Sequence, residues 1–216
     1  LAAQTSPVVS LEQYKLSPNS RQVDFINNLK RIREQGEDKA LLISATGTGK
    51  TYASAFGLRD AMGDNDGNVK SGFKNNSKKS SRILFIVHRE QIAKQAMKSY
   101  KNVFGRSRSY GLLSGNSKET DADILFATMQ MMSKEEVMTQ FPKDCFKTIV
   151  IDEAHRTGAA SYQKIMDYFE PEFWLGMTAS PERTDDFDVF ATFDHNIALE
   201  IRLQQAMEEN LLCPFH

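Results

Sequence analysis

Short runs of apolar residues, rich in isoleucine, leucine and valine, recur along the chain and alternate with stretches of helical spacing. The runs cover residues 40–44, 83–87, 124–127, 148–151 and 173–177. Runs this uniformly apolar are expected for strands whose two faces are both covered by helices. The pattern therefore predicts an α/β fold with a mainly parallel central sheet sandwiched by helices.

A helix is predicted ahead of the first strand. Ser17 and Pro18 offer an N-cap and a first-turn proline, and the positions of Val23, Ile26 and Leu29 give a helical stripe. This helix should lead into the sheet.

Another helix is predicted after the last strand, where residues 199–210 have apolar positions at helical spacing. Between the first two strands, residues 64–81 are rich in Asp, Asn, Gly, Ser and Lys. Their few bulky apolar side chains cannot offset the conformational entropy that the segment would lose on becoming ordered. We therefore expect a mobile surface insertion there.

The composition is that of one large domain, because 40% of the 216 residues are hydrophobic and 25% are charged. No apolar run approaches the length of a membrane span, and residues 1–10 lack the layout of a signal peptide. Cys145 and Cys213 lack metal-ligand spacing, so we expect ordinary thiols in a reducing compartment. Together these features predict a cytoplasmic protein without a membrane partner.

Charge is distributed unevenly beneath a formal net charge of −1. Residues 70–108, which we call the basic block, hold eleven lysines and arginines and one acid, Glu90. A basic block in an otherwise acidic chain can mark a surface that meets the phosphates of a polyanion. A solvated helix face beside a mobile loop explains the same charges equally well.

The sharpest chemical signal is the segment ATGTGKT at residues 45–51, which follows a predicted strand and precedes a helix-compatible run. Its glycines let the backbone N–H groups point at phosphates, Lys50 can reach the β- and γ-phosphates, and the Thr51 hydroxyl can ligate Mg²⁺. The strict pattern has glycine where this chain has Ser44, so a plain glycine-rich turn is the alternative. The residues expected to bind ATP in this loop are Thr46, Gly47, Thr48, Gly49, Lys50 and Thr51.

A second signal is the pair of carboxylates, Asp152 and Glu153, that ends the strand at 148–151. Because active sites of open α/β sheets lie at the carboxyl ends of strands, Asp152 should emerge beside the loop and hold Mg²⁺ through water. Glu153 would then deprotonate the attacking water, while Lys50 neutralises charge on the transferred phosphoryl group. An isolated pair is more often a solvated strand end, but the pair and the loop together predict ATP hydrolysis.

The string Asp152-Glu153-Ala154-His155 resembles, as it stands, the second motif of superfamily 2 helicases and translocases of the DEAD/DEAH-box class. The first motif of that family, A-x-G-x-G-K-T, tolerates serine at the position of Ser44. The resemblance implies a RecA-like P-loop NTPase that uses ATP and Mg²⁺. Gln22 resembles the glutamine that reads the adenine edge, although without the family context it is a helix-surface glutamine.

Three stretches resemble the strand-contacting motifs of the family. Arg89, within residues 87–95, would contact a backbone phosphate, with a surface salt bridge as the alternative. Gly115 and Thr128 would offer an N–H and a hydroxyl to phosphates, with a turn and a helix N-cap as alternatives.

Residues 176–181 resemble the third motif, which couples nucleotide state to strand grip. The residues assigned to this coupling are His155, Thr178 and Ser180.

Residues 151–158 and 178–185 look most similar to the branch of restriction-enzyme motor subunits known as type III restriction Res subunits. The resemblance implies that residues 1–198 are the first RecA-like ATP-binding helicase domain. Residues 199–216 would begin the linker to a second RecA-like domain outside this chain, so we expect a piece of a longer protein.

The function this resemblance implies is that of an ATP-dependent motor that moves along or unwinds nucleic acid, with DNA favoured over RNA. Restriction-modification or repair subunits are the expected partners, and the isolated domain should hydrolyse ATP poorly. Two alternatives stay open. A P-loop phosphotransferase would need no nucleic acid, and a nucleotide-gated nucleic-acid clamp would not hydrolyse ATP.

Overall fold

The computed structural model describes residues 16–45, 47–63, 81–181 and 187–202. Within these residues, seven strands form one sheet in the order β3-β4-β2-β5-β6-β1-β7, and every strand pairing is parallel. The strands are β1 (Lys39–Ser44), β2 (Ile83–Val87), β3 (Tyr110–Leu113), β4 (Ile124–Thr128), β5 (Thr148–Asp152), β6 (Phe173–Thr178) and β7 (Ile197–Ile201). The α/β sheet predicted from the sequence is confirmed, and the five predicted strands agree with the observed ones to within one residue at each end.

Helices cover both faces of the sheet. They are α1 (Ser20–Glu34), α2 (Lys50–Ala61), α3 (Glu90–Phe104), α4 (Met129–Met132), α5 (Glu135–Met138), α6 (Ala160–Tyr168) and α7 (Val189–Thr192), with a 3₁₀ turn at Ala154–Arg156. One buried cluster joins α1, α2 and α3 to the sheet, and a second joins α4, α5, α6 and α7 to the opposite face. In β2, for example, Phe85 contributes to the first cluster and Leu84 to the second. This alternation explains why both faces of the strands are apolar.

The leading helix begins later than the sequence predicted. Its N-cap is Asn19 rather than Ser17, and a capping box forms in which Asn19 and Gln22 each accept the other's backbone N–H, at 2.9 and 3.0 Å. The buried face of the helix includes Gln22, Phe25 and Leu29, and Val23 is 40% exposed. The predicted stripe was therefore wrong at Val23, because Phe25 and Leu29 are the α1 side chains that pack into the core beside α2 and the sheet.

Two edge strands escaped the sequence analysis. The predicted helix from residue 199 is wrong at its start, because Ile197–Ile201 forms β7 and pairs in parallel with β1. An unpaired edge of β1 would leave backbone groups unsatisfied, and β7 satisfies them while burying Ala198 and Ile201. Residues 203–216 lie outside the described residues, so the linker stays a prediction.

The other missed strand, β3, has four residues and includes Gly111. A Cβ at Gly111 would lie 2.1 Å from the carbonyl oxygen of Glu119, so only glycine allows this approach of the backbone. Most of the predicted insertion, residues 64–80, lies outside the described residues.

Candidate nucleotide site and nucleic-acid surface

Parallel strands bring the carboxyl ends of all seven strands to one edge of the sheet. We call the edge formed by β5, β6 and β1 the P-loop half, because the loop predicted to bind phosphate follows β1. We call the edge formed by β2, β4 and β3 the Arg89 half, because Arg89 follows β2. The strand order thus separates the residues predicted to meet ATP from those predicted to meet nucleic acid.

The loop after β1 has the backbone that phosphate binding requires. Gly47 and Gly49 have φ angles of 86° and 85°, in the left-handed region that glycine adopts without strain. A Cβ at Gly47 would meet nothing within 4 Å, so the loop opens to one side. The Thr48 hydroxyl donates to the carbonyl of Ala45 at 2.6 Å and also hydrogen-bonds Ser44. Thr46 lies outside the described residues, and Ser44 takes a defined place in the loop where the strict motif has glycine.

Lys50 connects the loop electrostatically to the two carboxylates. Its Nζ donates to the carbonyl oxygen of Ser44 at 3.0 Å. Burial lowers the pKa of Lys50, while the charges of Asp152 and Glu153 act to raise it. The ammonium and both carboxylates are therefore close enough for their charges to interact, and their joint role in ATP hydrolysis stays a prediction.

Asp152 is a half-buried carboxylate at the end of β5. Burial and then the charge of Glu153 raise its pKa to about 6, against the opposing effects of Lys50 and of the Glu153 N–H, which donates to it at 3.1 Å. A raised pKa means that the charges present do not fully stabilise the carboxylate. A divalent cation would do so, and the half-buried Thr51 at the start of α2 supplies a hydroxyl oxygen suited to the same ion.

Few protein ligands are available for that cation. No group of three or more His, Cys, Asp and Glu residues that could hold a metal occurs in the part of the chain that the structure describes. Mg²⁺ commonly keeps several waters and binds through one or two protein groups together with substrate phosphates. The donor set here fits that mode.

Glu153 and His155 link the ends of β5 and β6. Glu153 has a φ of 57°, a left-handed conformation that is uncommon for a non-glycine residue and is typical of functional sites. The Nδ1 of His155 lies 3.3 Å from a Glu153 carboxylate oxygen and 3.0 Å from the Thr178 hydroxyl. The Ser180 N–H donates to the same Thr178 hydroxyl at 3.2 Å. The three residues predicted to couple nucleotide state to strand grip are thus connected, although the coupling itself stays a prediction.

Gln22 is held against the phosphate loop. Its side chain is buried in the α1 capping box, and a Cβ added at Gly49 would lie 3.4 Å from its Nε2. Gln22 is therefore not a surface glutamine, which was the alternative from sequence. Reading of adenine by this residue stays a prediction.

In the Arg89 half, the three predicted phosphate contacts lie after neighbouring strands. Arg89 is the exposed N-cap of α3 and forms no ion pair with any described residue. Gly115 follows β3, is exposed, and has open space beside its Cα. Thr128 ends β4 opposite Val87 of β2, and although it is the N-cap of α4, its side chain makes no capping bond.

The structure divides the basic block instead of presenting it as one face. Arg89 lies at the carboxyl edge of the sheet, whereas Arg106 follows the end of α3, about 22 Å away for a helix of this length. Arg82 directly precedes β2 and donates to the carbonyl oxygens of Ala122 and Thr120, at 2.8 and 2.6 Å. The lysines at 70, 74, 78 and 79 lie outside the described residues. Glu90 was not predicted to have a role, although a single acid among eleven bases was a signal.

None of the described helices has the length and apolar character that crossing a bilayer requires.

Comparison with known proteins identifies relatives of this site-bearing domain. Residues 15–183 match the family described as Type III restriction enzyme, res subunit. The chain is 29% identical over 220 residues to the Type I restriction enzyme EcoAI endonuclease subunit of Escherichia coli, covering 97% of this chain and 25% of that protein. It is 24% identical over 203 residues to the putative ATP-dependent helicase IRC3 of Saccharomyces cerevisiae, covering 89% and 27%. The chain therefore spans about a quarter of the length of these two relatives.

Solved structures share the fold. A nuclease-deletion mutant of the Type ISP restriction-modification enzyme LlaGI, in complex with a DNA substrate mimic, aligns over 91% of this chain and 21% of its own, with a TM-score of 0.62 and 18% identity. The Sulfolobus solfataricus SWI2/SNF2 ATPase core in complex with double-stranded DNA aligns over 85% and 37%, with a TM-score of 0.61 and 19% identity. At these identities the likeness concerns the fold alone, and the match to the family model over most of the chain shows that this chain belongs to the type III restriction enzyme Res subunit family of superfamily 2 helicases.

Proposed function

We propose that this chain is the ATP-binding part of a motor that hydrolyses ATP with Mg²⁺ and moves along or unwinds DNA. The observation that carries the proposal is the meeting of Lys50 with Asp152 and Glu153 at one edge of the sheet, where their charges act on one another. A plain glycine-rich turn or a solvated strand end would not bring these three groups into one partly buried site.

The phosphate loop and Lys50 would bind the triphosphate. Backbone N–H groups of the loop and the N-terminus of α2 favour anions there, because the helix dipole adds to their partial positive charge. The Lys50 ammonium, which rests on the Ser44 carbonyl, would exchange that oxygen for the β- and γ-phosphates. Burial makes this exchange favourable, because a charge pair is stronger where water is excluded.

Thr51 and Asp152 would hold Mg²⁺, Asp152 through a water molecule. When bound, the metal supplies positive charge that neutralises the phosphate oxygens. The raised pKa of Asp152 supports this assignment, since the carboxylate is short of positive charge in this structure.

Glu153 would be the general base. Its carboxylate accepts a proton from water as the water oxygen attacks the γ-phosphorus, and ADP leaves with the electron pair of the broken bond. His155 contacts both Glu153 and Thr178, so it would couple the nucleotide state at Glu153 to the position of Thr178 at the end of β6.

The assignment of DNA as the substrate draws on the relatives. The LlaGI and SWI2/SNF2 structures contain DNA or a DNA mimic, and the EcoAI protein is a restriction endonuclease subunit. We therefore propose a cytoplasmic protein that works with restriction-modification or repair subunits and with a second RecA-like domain. An arginine from that second domain would complete the site, so these residues alone should turn ATP over very slowly.

Nucleotide binding to Lys50→Ala tests the proposal. Losing the charged contact should weaken binding of a fluorescent ATP analogue by roughly 10- to 100-fold. Lys98→Ala, which removes an exposed lysine from α3, is the control and should bind like wild type. Equal affinity of wild type and Lys50→Ala would refute the nucleotide site.

Hydrolysis in the presence of DNA tests the motor assignment. The full-length protein should hydrolyse ATP faster when duplex DNA is added. A phosphotransferase would not need DNA, and a clamp would not hydrolyse ATP, so an unstimulated or absent ATPase would reject the motor.

A further inference from the structure

One carboxylate lies among the cations of the Arg89 half. Glu90 is the first residue of α3 and follows Arg89 directly. A negative charge here repels the phosphates that Arg89 is proposed to bind, so its presence needs a compensating role. The structure shows which groups the Glu90 carboxylate contacts.

Glu90 joins α3 to the turn after β3. Its Oε2 accepts a hydrogen bond from the Asn116 side-chain amide at 3.0 Å, and its Oε1 lies 2.6 Å from the Lys94 ammonium. The Ser114 side chain also hydrogen-bonds this carboxylate. Lys94, Ser114 and Asn116 together lower the pKa of Glu90 to about 2, so the group is ionised throughout the neutral range.

The turn that Glu90 contacts is internally well formed. The Ser114 N–H donates to the Ser117 carbonyl at 2.8 Å, and the Asn116 N–H donates to the Ser114 hydroxyl at 3.2 Å. Ser114 is buried, while Gly115 and Asn116 are exposed. Because β3 is an edge strand that pairs with β4 alone among the described strands, the bond from Asn116 to Glu90 adds a link between this turn and α3 that the sheet does not provide.

We infer that Glu90 is a positioning residue that holds the turn carrying Gly115 against the start of α3, so that the Arg89 side chain and the Gly115 N–H meet one DNA backbone. This inference rests on the proposed function, since it refines how that site grips DNA. An ionised carboxylate suits the role because its two oxygens accept from the turn and from Lys94 at once. Lys94 also balances the charge that would otherwise repel DNA.

Removing Glu90 separates positioning from simple charge, because the two predict opposite signs. If only charge mattered, Glu90→Ala would make the surface more positive and tighten DNA binding. If Glu90 positions the turn, Glu90→Ala should raise the duplex DNA concentration for half-maximal ATPase stimulation roughly five- to tenfold, as expected for one lost charged hydrogen bond. The rate at saturating DNA should change less than this concentration does.

Asn116→Ala provides a test without any change in net charge. Asn116→Ala should raise the DNA concentration for half-maximal stimulation by a similar factor. The double variant, Glu90→Ala with Asn116→Ala, should raise it no further than the more affected single variant, because both changes break the same contact. The measurement is ATPase rate against duplex DNA concentration for the full-length protein, with thermal unfolding of each variant to exclude loss of fold.

Matched controls come from comparable side chains elsewhere. Glu135 is an exposed first-turn glutamate of α5 whose carboxylate lies 3.7 Å from the Lys164 ammonium, and Glu135→Ala should leave DNA stimulation unchanged. Asn102 is an exposed asparagine that donates to the Tyr52 hydroxyl at 2.9 Å, and Asn102→Ala should do likewise. If DNA stimulates the wild type, and Glu90→Ala needs the same or a lower DNA concentration for half-maximal stimulation, this inference alone is overturned. A wild type that DNA does not stimulate would instead overturn the proposed function.

Discussion

Asp152 of the P-loop half and Glu90 of the Arg89 half are carboxylates at the same edge of the sheet with opposite shifts in pKa. Burial raises the pKa of Asp152 to about 6, whereas hydrogen bonds from Lys94, Ser114 and Asn116 lower that of Glu90 to about 2. Asp152 lacks the positive charge it needs, while Glu90 already has its partners. Asp152 is therefore suited to binding a cation, and Glu90 is suited to fixing the turn after β3 against α3.

The wider surroundings of the two halves differ in the same way. In the P-loop half, Lys50 is half-buried, Thr178 is buried, and both are bonded to neighbouring groups. In the Arg89 half, Arg89 and Gly115 are exposed. Phosphoryl transfer benefits from a site with little water, whereas a long polyanion can be gripped only by groups that reach into solvent. The comparison predicts that variants in the first half affect chemistry and variants in the second affect the response to DNA.

The largest expected effect is that of Glu153→Gln in the full-length protein. The amide keeps the shape of the side chain but cannot accept the proton of water, so hydrolysis should fall by about 10²- to 10⁴-fold. ATP binding should persist, as measured with a fluorescent analogue. Glu170→Gln, at an exposed glutamate whose carboxylate lies 3.8 Å from the Lys143 ammonium, is the control and should hydrolyse ATP normally. Hydrolysis at the wild-type rate in Glu153→Gln would remove its assignment as the base.

An intermediate effect is expected for Arg89→Ala. Losing one phosphate contact should raise the DNA concentration for half-maximal stimulation about tenfold and reduce the salt dependence of DNA binding. Arg106→Ala is the matched control, because Arg106 is an exposed arginine of the same basic block at the opposite end of α3. Equal losses in both variants would show that the whole block, and not the carboxyl edge, meets DNA.

The smallest effect concerns stability. Because folding raises the pKa of Asp152 from 3.8 to about 6, its charge destabilises the folded, nucleotide-free protein above pH 6. Asp152→Asn should therefore raise the free energy of unfolding at pH 7 by about 1 to 3 kcal/mol in the presence of a chelator. This gain should shrink as the pH falls from 6 towards 4, because the folded state is then protonated and the unfolded state approaches its own pKa of 3.8.

Thermal unfolding across this pH range measures that gain. Asp123→Asn gives the contrast, since hydrogen bonds from Ser109 are the main cause that lowers the pKa of Asp123. Its replacement should destabilise the protein at neutral pH. Destabilisation by Asp152→Asn at pH 7 would contradict the view of Asp152 as a carboxylate short of positive charge.

Local signals in the sequence were sufficient for much of the fold. Five apolar runs identified five strands, because strands covered on both faces leave a continuous apolar record. The edge strands β3 and β7 left no such record, since Tyr110–Leu113 is short and interrupted by glycine, and Ile197–Ile201 is only partly buried. The start of α1 at Asn19 was missed because several polar residues could cap it and the capping box with Gln22 decided among them.

By itself, the sequence determined the type of sheet, the glycine-rich loop after β1 and the carboxylates that end β5, because each depends on residues adjacent in the chain. Only the tertiary structure decided which of these groups meet. The order β5-β6-β1 brings Asp152 to Lys50 and places Thr178 of β6 beside His155. The tertiary structure also places Gln22 against Gly49, divides the basic block between two edges of the sheet, and brings Glu90 to Asn116. These contacts depend on strand order and helix length, which no local pattern encodes, because pairing between distant segments is selected by the burial and hydrogen bonding of the whole sheet.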